Sequence, residues 1–248
     1  MEGSSFVKNR LIIAVDGPSG SGKSSVCRAV ATQFGADYLD TGAMYRAATW
    51  YCLDQQVDLD DEDAVAVAVE ELPLNISTDP EHQIICVDQT DVTEAIREPR
   101  ISEAVSEVAT NRKARQLLIN AQRRIIDESG FIVAEGRDIT TVVAPDAQVR
   151  VLLTASAEAR LRRRGLQLEA ASGAAETQEA LRRQVLERDK KDSKASNFTE
   201  AADGVAVLDS SDLTFEETVN SLITRIDDVR QGAVAHTPAD EHVTERAL

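Results

Sequence analysis

Five short, mostly uninterrupted apolar runs punctuate this chain: Leu11–Val15, Asp37–Leu39, Phe131–Ala134, Val149–Leu153 and Val205–Leu208. Runs of that length, rich in Val, Ile and Leu, fit strands buried on both faces. Between most of them apolar residues recur three and four positions apart. That spacing predicts helices over Lys23–Phe34, Glu103–Glu128, Ala157–Leu168, Thr177–Lys191 and Phe215–Arg230. Thr214, with Glu217 three residues on, spells a capping box at the start of the last helix. Strands alternating with helices predict an α/β fold, a five-stranded parallel sheet flanked by helices.

The rhythm breaks between residues 58 and 102. An acidic stretch, Asp58 to Glu71, leads into Leu74–Ser77, Ile84–Val87 and Val92, with polar turns such as Thr78-Asp79-Pro80 between them. These read as short strands of a small β-containing insertion. The core is then expected over 1–57, 103–156 and 195–230. Residues 157–194 form two basic helices joined by a Gly/Ala-rich tip at 169–176, the build of a mobile lid. Residues 231–248 show no periodicity and are expected to be a disordered tail.

Composition narrows the function classes. Aromatic residues make up only 4% of the chain, so the core must be filled by Val, Ile, Leu and Ala. The net charge of −16 argues against a nucleic-acid or anionic-membrane partner. No apolar run reaches membrane-spanning length and the N-terminus shows no secretory core, so a cytoplasmic location is expected. Cys27, Cys52 and Cys86 are odd in number and lack metal-ligand spacing, which points to free thiols in a reducing compartment. Within this acidic chain, basic residues cluster at Arg160, Arg162, Arg163 and Arg164, and again from Arg182 to Lys194. Such clusters are ordinarily solvated helix faces; beside a phosphate-binding motif they read as phosphate clamps.

That motif follows the first strand. Gly17-Pro18-Ser19-Gly20-Ser21-Gly22-Lys23-Ser24 matches G-x-x-x-x-G-K-[ST], with Ser25 continuing the helix. Its glycines let backbone N–H groups wrap a phosphate, and the new helix turns its positive dipole end to the same anion. Lys23 reaches β/γ-phosphates, and the Ser24 hydroxyl is a ligand for Mg²⁺. Three further segments carry chemistry. Asp40-Thr41-Gly42-Ala43-Met44-Tyr45-Arg46 follows the second strand and places Arg46 about one turn into a helix. Phe131 to Asp138 runs an apolar strand into Glu135-Gly136-Arg137-Asp138, where Glu135 can help position Mg²⁺ and Arg137 can grip a phosphate bidentately. Asp138, which only accepts, suits an exocyclic amine. Glu187 to Ser193 is a charged run at a helix end.

Together these segments resemble the bacterial-type cytidylate kinases, collinearly from about Leu11 to Arg230. The resemblance implies a P-loop nucleoside monophosphate kinase fold with a nucleotide-binding insertion and a short helical lid. It implies transfer of the ATP γ-phosphoryl group to CMP or dCMP, with Mg²⁺, by a monomer. Arg46, Arg137 and Arg188 then hold phosphates, Asp138 reads the cytosine amine, and Ser106 and Arg115 contact the base. Asp192 contacts the sugar, Thr41 and Tyr45 line the acceptor site, and Arg160 and Arg164 are lid arginines. Many family members carry one more arginine where this chain has Ala195, and Lys194 or a lid arginine is the expected substitute. A kinase for another monophosphate or small metabolite is the nearest alternative. A regulatory GTPase is further off, because no N-K-x-D motif is present. A P-loop chaperone or partner-binding ATPase is a third reading.

Overall fold

The computed structural model describes residues 10–172, 177–193 and 196–235. The central sheet takes its strands from β1 (Leu11–Asp16), β2 (Asp37–Asp40), β6 (Phe131–Gly136), β7 (Val149–Thr154) and β8 (Ala206–Asp209). Their spatial order is β2-β6-β1-β7-β8, all parallel. Alternate β1 residues serve opposite faces, as the two-residue period of a strand requires. Ile12 and Ala14 pack with Leu39, Met44, Leu118 and Ile126. Ile13 and Val15 pack with Val26, Val30, Leu222 and Ile226. Each fully buried aliphatic side chain contributes roughly 1.5–3 kcal/mol.

Helices α1 (Lys23–Phe34) and α9 (Phe215–Ala235) cover one face; α2 (Thr41–Asp54) and α5 (Arg112–Ser129) cover the other. The expected capping box forms: Glu217 Oε2 accepts from the Thr214 amide at 2.8 Å, and Thr214 Oγ1 accepts from the Glu217 amide at 3.2 Å.

Between α2 and α5 lies the insertion. Its three strands, β3 (Leu74–Ile76), β4 (Ile85–Val87) and β5 (Thr90–Asp91), form a small antiparallel sheet. Ile85, Val87, Val92 and Ile96 pack it onto Ala43 and Ala47 of α2. The acidic stretch before it, given no element by the sequence pattern, is a helix, α3 (Glu62–Glu70). Asp61 caps α3 by accepting from the amides of Asp63 and Ala64.

The single helix expected over Glu103–Glu128 is two, α4 (Pro99–Thr110) and α5. Asn111 leaves helical geometry at ψ 116° and caps α5 with its own side chain, which also donates to the Glu62 carbonyl at 2.8 Å. In the segment expected to form a lid, α6 (Ala157–Ser172) is followed by α7 (Gln178–Arg182), a π-helical turn (Arg183–Glu187) and α8 (Arg188–Asp192). Residues 231–235, assigned to a tail from the sequence, continue α9. Lys194, Ala195 and residues 236–248 lie outside the described residues. Among the described residues, no helix is long and apolar enough to cross a membrane.

Candidate active site

Strand register sets the site. Asp16 pairs with Gly136 and Asp40 pairs with Glu135, so β1, β2 and β6 end together at one edge of the sheet. Ligands of open parallel sheets bind beyond that edge. The phosphate loop leaves β1 through Gly17, whose backbone has φ 155°; a Cβ there would lie 2.1 Å from the Leu153 carbonyl oxygen. Lys23 Nζ donates to the Pro18 carbonyl at 3.0 Å. Burial pulls its amine below the ordinary lysine range, with Glu135 opposing and the Arg137 guanidinium adding to the fall.

Glu135 joins the loop to β2 and β6. It accepts from Ser24 Oγ at 2.5 Å and from Tyr38 Oη at 3.0 Å. Burial and the nearby Asp40 carboxylate raise its pKa, while Lys23 and the two hydroxyl donors oppose. Asp40 caps α2 through the Ala43 amide at 2.8 Å and pairs with Arg46 at 2.9 Å. Burial works to raise the Asp40 pKa, but Arg46, the Ala43 amide and Arg97 outweigh it and the net shift is downward.

A cavity of about 210 Å³ opens here, lined by Lys23, Ser24, Arg46, Glu135, Arg137 and Arg164 among others. On the outer side of the loop a second cavity, about 410 Å³, runs past Gly20–Val26, Ser25 included, to Arg163, Arg164, Leu213, Thr214 and Phe215. The oxygens of Ser24 and Glu135 are hard donors suited to Mg²⁺ shared with phosphates. Among the described residues, no three His, Cys, Asp or Glu side chains converge as a complete metal cage.

Beyond Gly136 the chain makes a π-helical turn, Ile139–Val143. A Cβ on Gly136 would meet Thr41 Oγ1 at 2.4 Å, so only glycine fits. The turn is held from beneath. Asp16 accepts from the Ile139 and Thr140 amides, both at 2.8 Å, and from the Thr140 hydroxyl at 2.6 Å. Burial pushes the Asp16 carboxyl up to about 6 despite those donors. Arg123 donates to the carbonyls of Val142 and Val143.

Arg115 pairs with Asp138, whose carboxyl is raised by burial and held back by that guanidinium. Arg137 donates to Ser19 Oγ at 2.6 Å, to Asp189 at 3.0 Å and to Asp192, and its guanidinium lies 4.6 Å from the Phe198 ring centre. Asp192 also accepts from Ser106 Oγ at 2.7 Å. Thr41, Tyr45, Arg115, Asp138 and Asp192 line a small cavity of about 60 Å³. The Thr41 hydroxyl there donates to the Glu135 carbonyl.

Arg160 reaches the loop from α6, donating to the Ser19 carbonyl at 3.0 Å and pairing with Asp189. Asp189 further accepts from the Ser19 amide at 3.1 Å. The expected residues thus fall into two adjoining groups: Lys23, Ser24, Arg46, Glu135, Arg137 and Arg164 around the loop, and Ser106, Arg115, Asp138 and Asp192 beside them. The Arg188 side chain lies outside the described residues, as do Lys194 and Ala195.

Sequence reasoning assigned no individual role to Arg97, Arg163, Asp16 or Asp189. Arg97 lines the 210 Å³ cavity from a short 3₁₀ turn of the insertion. Arg163 donates to the carbonyls of Ser21, at 3.2 Å, and Ser210, at 2.5 Å, tying the loop to the exit of β8. Its place in the arginine cluster was the only signal for it.

The cytidylate kinase family model matches residues 13–228. The chain is similar to a cytidylate kinase of Rhodococcus opacus (strain B4), 48% identical over 214 residues, 86% of this chain and 93% of that protein. A Nocardia farcinica cytidylate kinase is also 48% identical over 86% of this chain and 91% of its own length. One from Rhodococcus jostii is 45% identical over 226 residues, 91% of this chain and 98% of its own.

Proposed function

The chain belongs to the cytidylate kinase family, and from that premise we propose how its site performs the reaction. The enzyme transfers the γ-phosphoryl group of ATP to CMP or dCMP, giving ADP and the nucleoside diphosphate. Phosphoryl transfer through a loose transition state needs alignment and positive charge rather than a covalent nucleophile.

In our reading ATP lies along Gly17–Ser25, with its nucleoside in the 410 Å³ cavity and its terminal phosphate at Lys23. Ser24, with Glu135 behind it, would hold Mg²⁺, which would supply charge neutralisation to the phosphates when bound. Arg46 and Arg137 hold the acceptor phosphate, joined by Arg188. Arg160 and Arg164 enter from the lid and exclude water, so that the acceptor rather than water takes the phosphoryl group.

The cytosine lies against Asp138 and Arg115. Cytosine offers a donor at N4 and acceptors at N3 and O2, which a carboxylate beside a guanidinium matches. Uracil would turn a carbonyl to Asp138, leaving two acceptors opposed at a cost of about 1–3 kcal/mol. Ser106 and Asp192 serve the base and the sugar, with Thr41 and Tyr45 walling the site. We read the enzyme as a monomer of the cytoplasm; the free thiols of Cys27, Cys52 and Cys86 fit a reducing compartment.

The observation that carries this reading is the Arg115–Asp138 pair beside the loop-side cavity that holds Lys23, Arg46 and Arg137. ADP formation from ATP with CMP, dCMP, UMP, AMP, GMP and TMP in turn tests it. Turnover confined to the cytosine nucleotides is expected. Equal turnover with another monophosphate, or ATP hydrolysis that ignores the acceptor, would overturn it.

A further inference from the structure

Gln122 sits on α5 with no exposed surface, yet neither its Oε1 nor its Nε2 has a hydrogen-bond partner among the described residues. A buried side-chain amide without partners is costly, and native proteins seldom tolerate one without a use for it. The neighbouring Tyr45 hydroxyl, on α2, is in the same condition. The Gln122 amide is close enough to the Tyr45 phenol to ease the upward shift that burial imposes on it. The Asp138 carboxylate and Arg115 guanidinium also act on that hydroxyl. Tyr45, Arg115 and Asp138 line the same 60 Å³ cavity. Tyr45, with its unpartnered hydroxyl, thus stands beside the carboxylate assigned to the base, and Gln122 stands next to Tyr45.

We propose that Gln122 and Tyr45 form a two-link hydrogen-bond relay that positions Asp138 for cytosine, making Gln122 a specificity-determining positioning residue. The proposal rests on the cytidylate kinase reading of the site. The direction of the relay follows from what each group can do. An ionised carboxylate only accepts, so the single phenolic proton of Tyr45 goes to Asp138. The phenolic oxygen then needs a donor, and the Gln122 Nε2–H₂ group supplies it. In the substrate-free arrangement Arg115 occupies Asp138. When Arg115 and Asp138 both turn toward the base, the relay takes over one carboxylate oxygen and leaves the other for the cytosine N4 amine. No proton is transferred; the relay fixes an orientation. A glutamate at 122 would reverse the first link, because a carboxylate there would itself draw the Tyr45 proton.

The test compares Gln122→Met, Tyr45→Phe and the double variant with the wild type, reading KM and kcat for CMP, UMP and ATP. Each single variant should raise KM for CMP about 10-fold and lower the CMP:UMP preference, with KM for ATP unchanged. Gln122→Met should keep the wild-type melting temperature, since an apolar group of the same shape replaces an unpaired amide. The double variant should be no worse than Tyr45→Phe, because either change breaks the same chain. Penalties that multiply in the double variant, or an unchanged CMP:UMP ratio in Gln122→Met, would overturn the relay. Should Gln122→Met fail to fold, an unchanged ratio in Tyr45→Phe alone overturns it. A wild type that does not phosphorylate CMP would instead overturn the functional reading, which keeps the two failures apart.

Discussion

Arg137 donates to Asp189 and Asp192 at once, so a guanidinium assigned to the acceptor phosphate is held by two carboxylates while substrate is absent. Asp189 also accepts from the Ser19 amide and pairs with Arg160. One side chain therefore links the phosphate loop, the β6 exit and the lid. The carboxylates keep the arginine aimed into the site before a phosphate arrives, which is preorganisation of a transition-state charge clamp.

Asp189→Ala should consequently damage stability and activity together. Removing one partner of a fully buried pair costs about 3–5 kcal/mol, and the partly exposed arginines here reduce that to about 2 kcal/mol. For a chain of this size that corresponds to a melting temperature lower by about 4–8 °C. kcat/KM for CMP should fall at least ~10-fold, since both arginines lose their orientation. Thermal unfolding and steady-state kinetics check this; an unaltered melting temperature with normal kinetics would show that the linkage is incidental.

Lys23→Ala should leave the fold intact and remove most turnover. Among the described residues the lysine donates to the Pro18 carbonyl alone, so little structure depends on it. Its charge, by contrast, is the one proposed to meet the transferring phosphoryl group, and loss of one such group costs about 10²–10³ in kcat. Folded protein with near-normal kcat would refute the assignment of the loop.

Asp16 gives a pH-dependent stability signature. Its carboxyl is held near 6 in the fold against 3.8 as the ordinary value, because burial disfavours its charge. Between those values the native state binds the extra proton. Stability from that proton is full below pH ~4 and is lost as pH rises through 6. Relative to Asp16→Asn, which cannot titrate, the wild type should lose up to about 3 kcal/mol between pH 4 and pH 7. Denaturant unfolding of both proteins across that range measures the difference; two parallel curves would contradict it.

Much of the fold was legible because buried parallel strands announce themselves. β1, β6 and β7 are near-continuous apolar runs, and the phosphate loop fixes where β1 ends. The helix α3 was not legible. Glu62 to Glu70 reads EDAVAVAVE, which alternates like a strand. It buries Val65, Ala66, Ala68 and Val69 because the Asp61 cap and packing against α5 outweigh local preference. The break at Asn111 had a usable signal, an asparagine able to cap, hidden inside a long amphipathic pattern. At the site, residues in contiguous motifs were readable; those brought in by folding, such as Arg97, Thr214 and Phe215, were not. The π-turn at Ile139–Val143 depends on Asp16, more than 120 residues away, and no local pattern encodes it.

The proposed reaction turns on the Arg115–Asp138 pair, assigned to select cytosine for phosphorylation at the loop-side cavity. The most direct test is kcat/KM for CMP and for UMP in the wild type and in Asp138→Asn. An amide can present either a donor or an acceptor, so the variant should accept uracil where the carboxylate refuses it. A mismatch of about 1–3 kcal/mol predicts a CMP preference of about 5- to 150-fold in the wild type, falling toward parity in the variant. KM for ATP should stay unchanged in both. A wild type that uses UMP as readily as CMP, or a variant that keeps the wild-type ratio, would contradict the account.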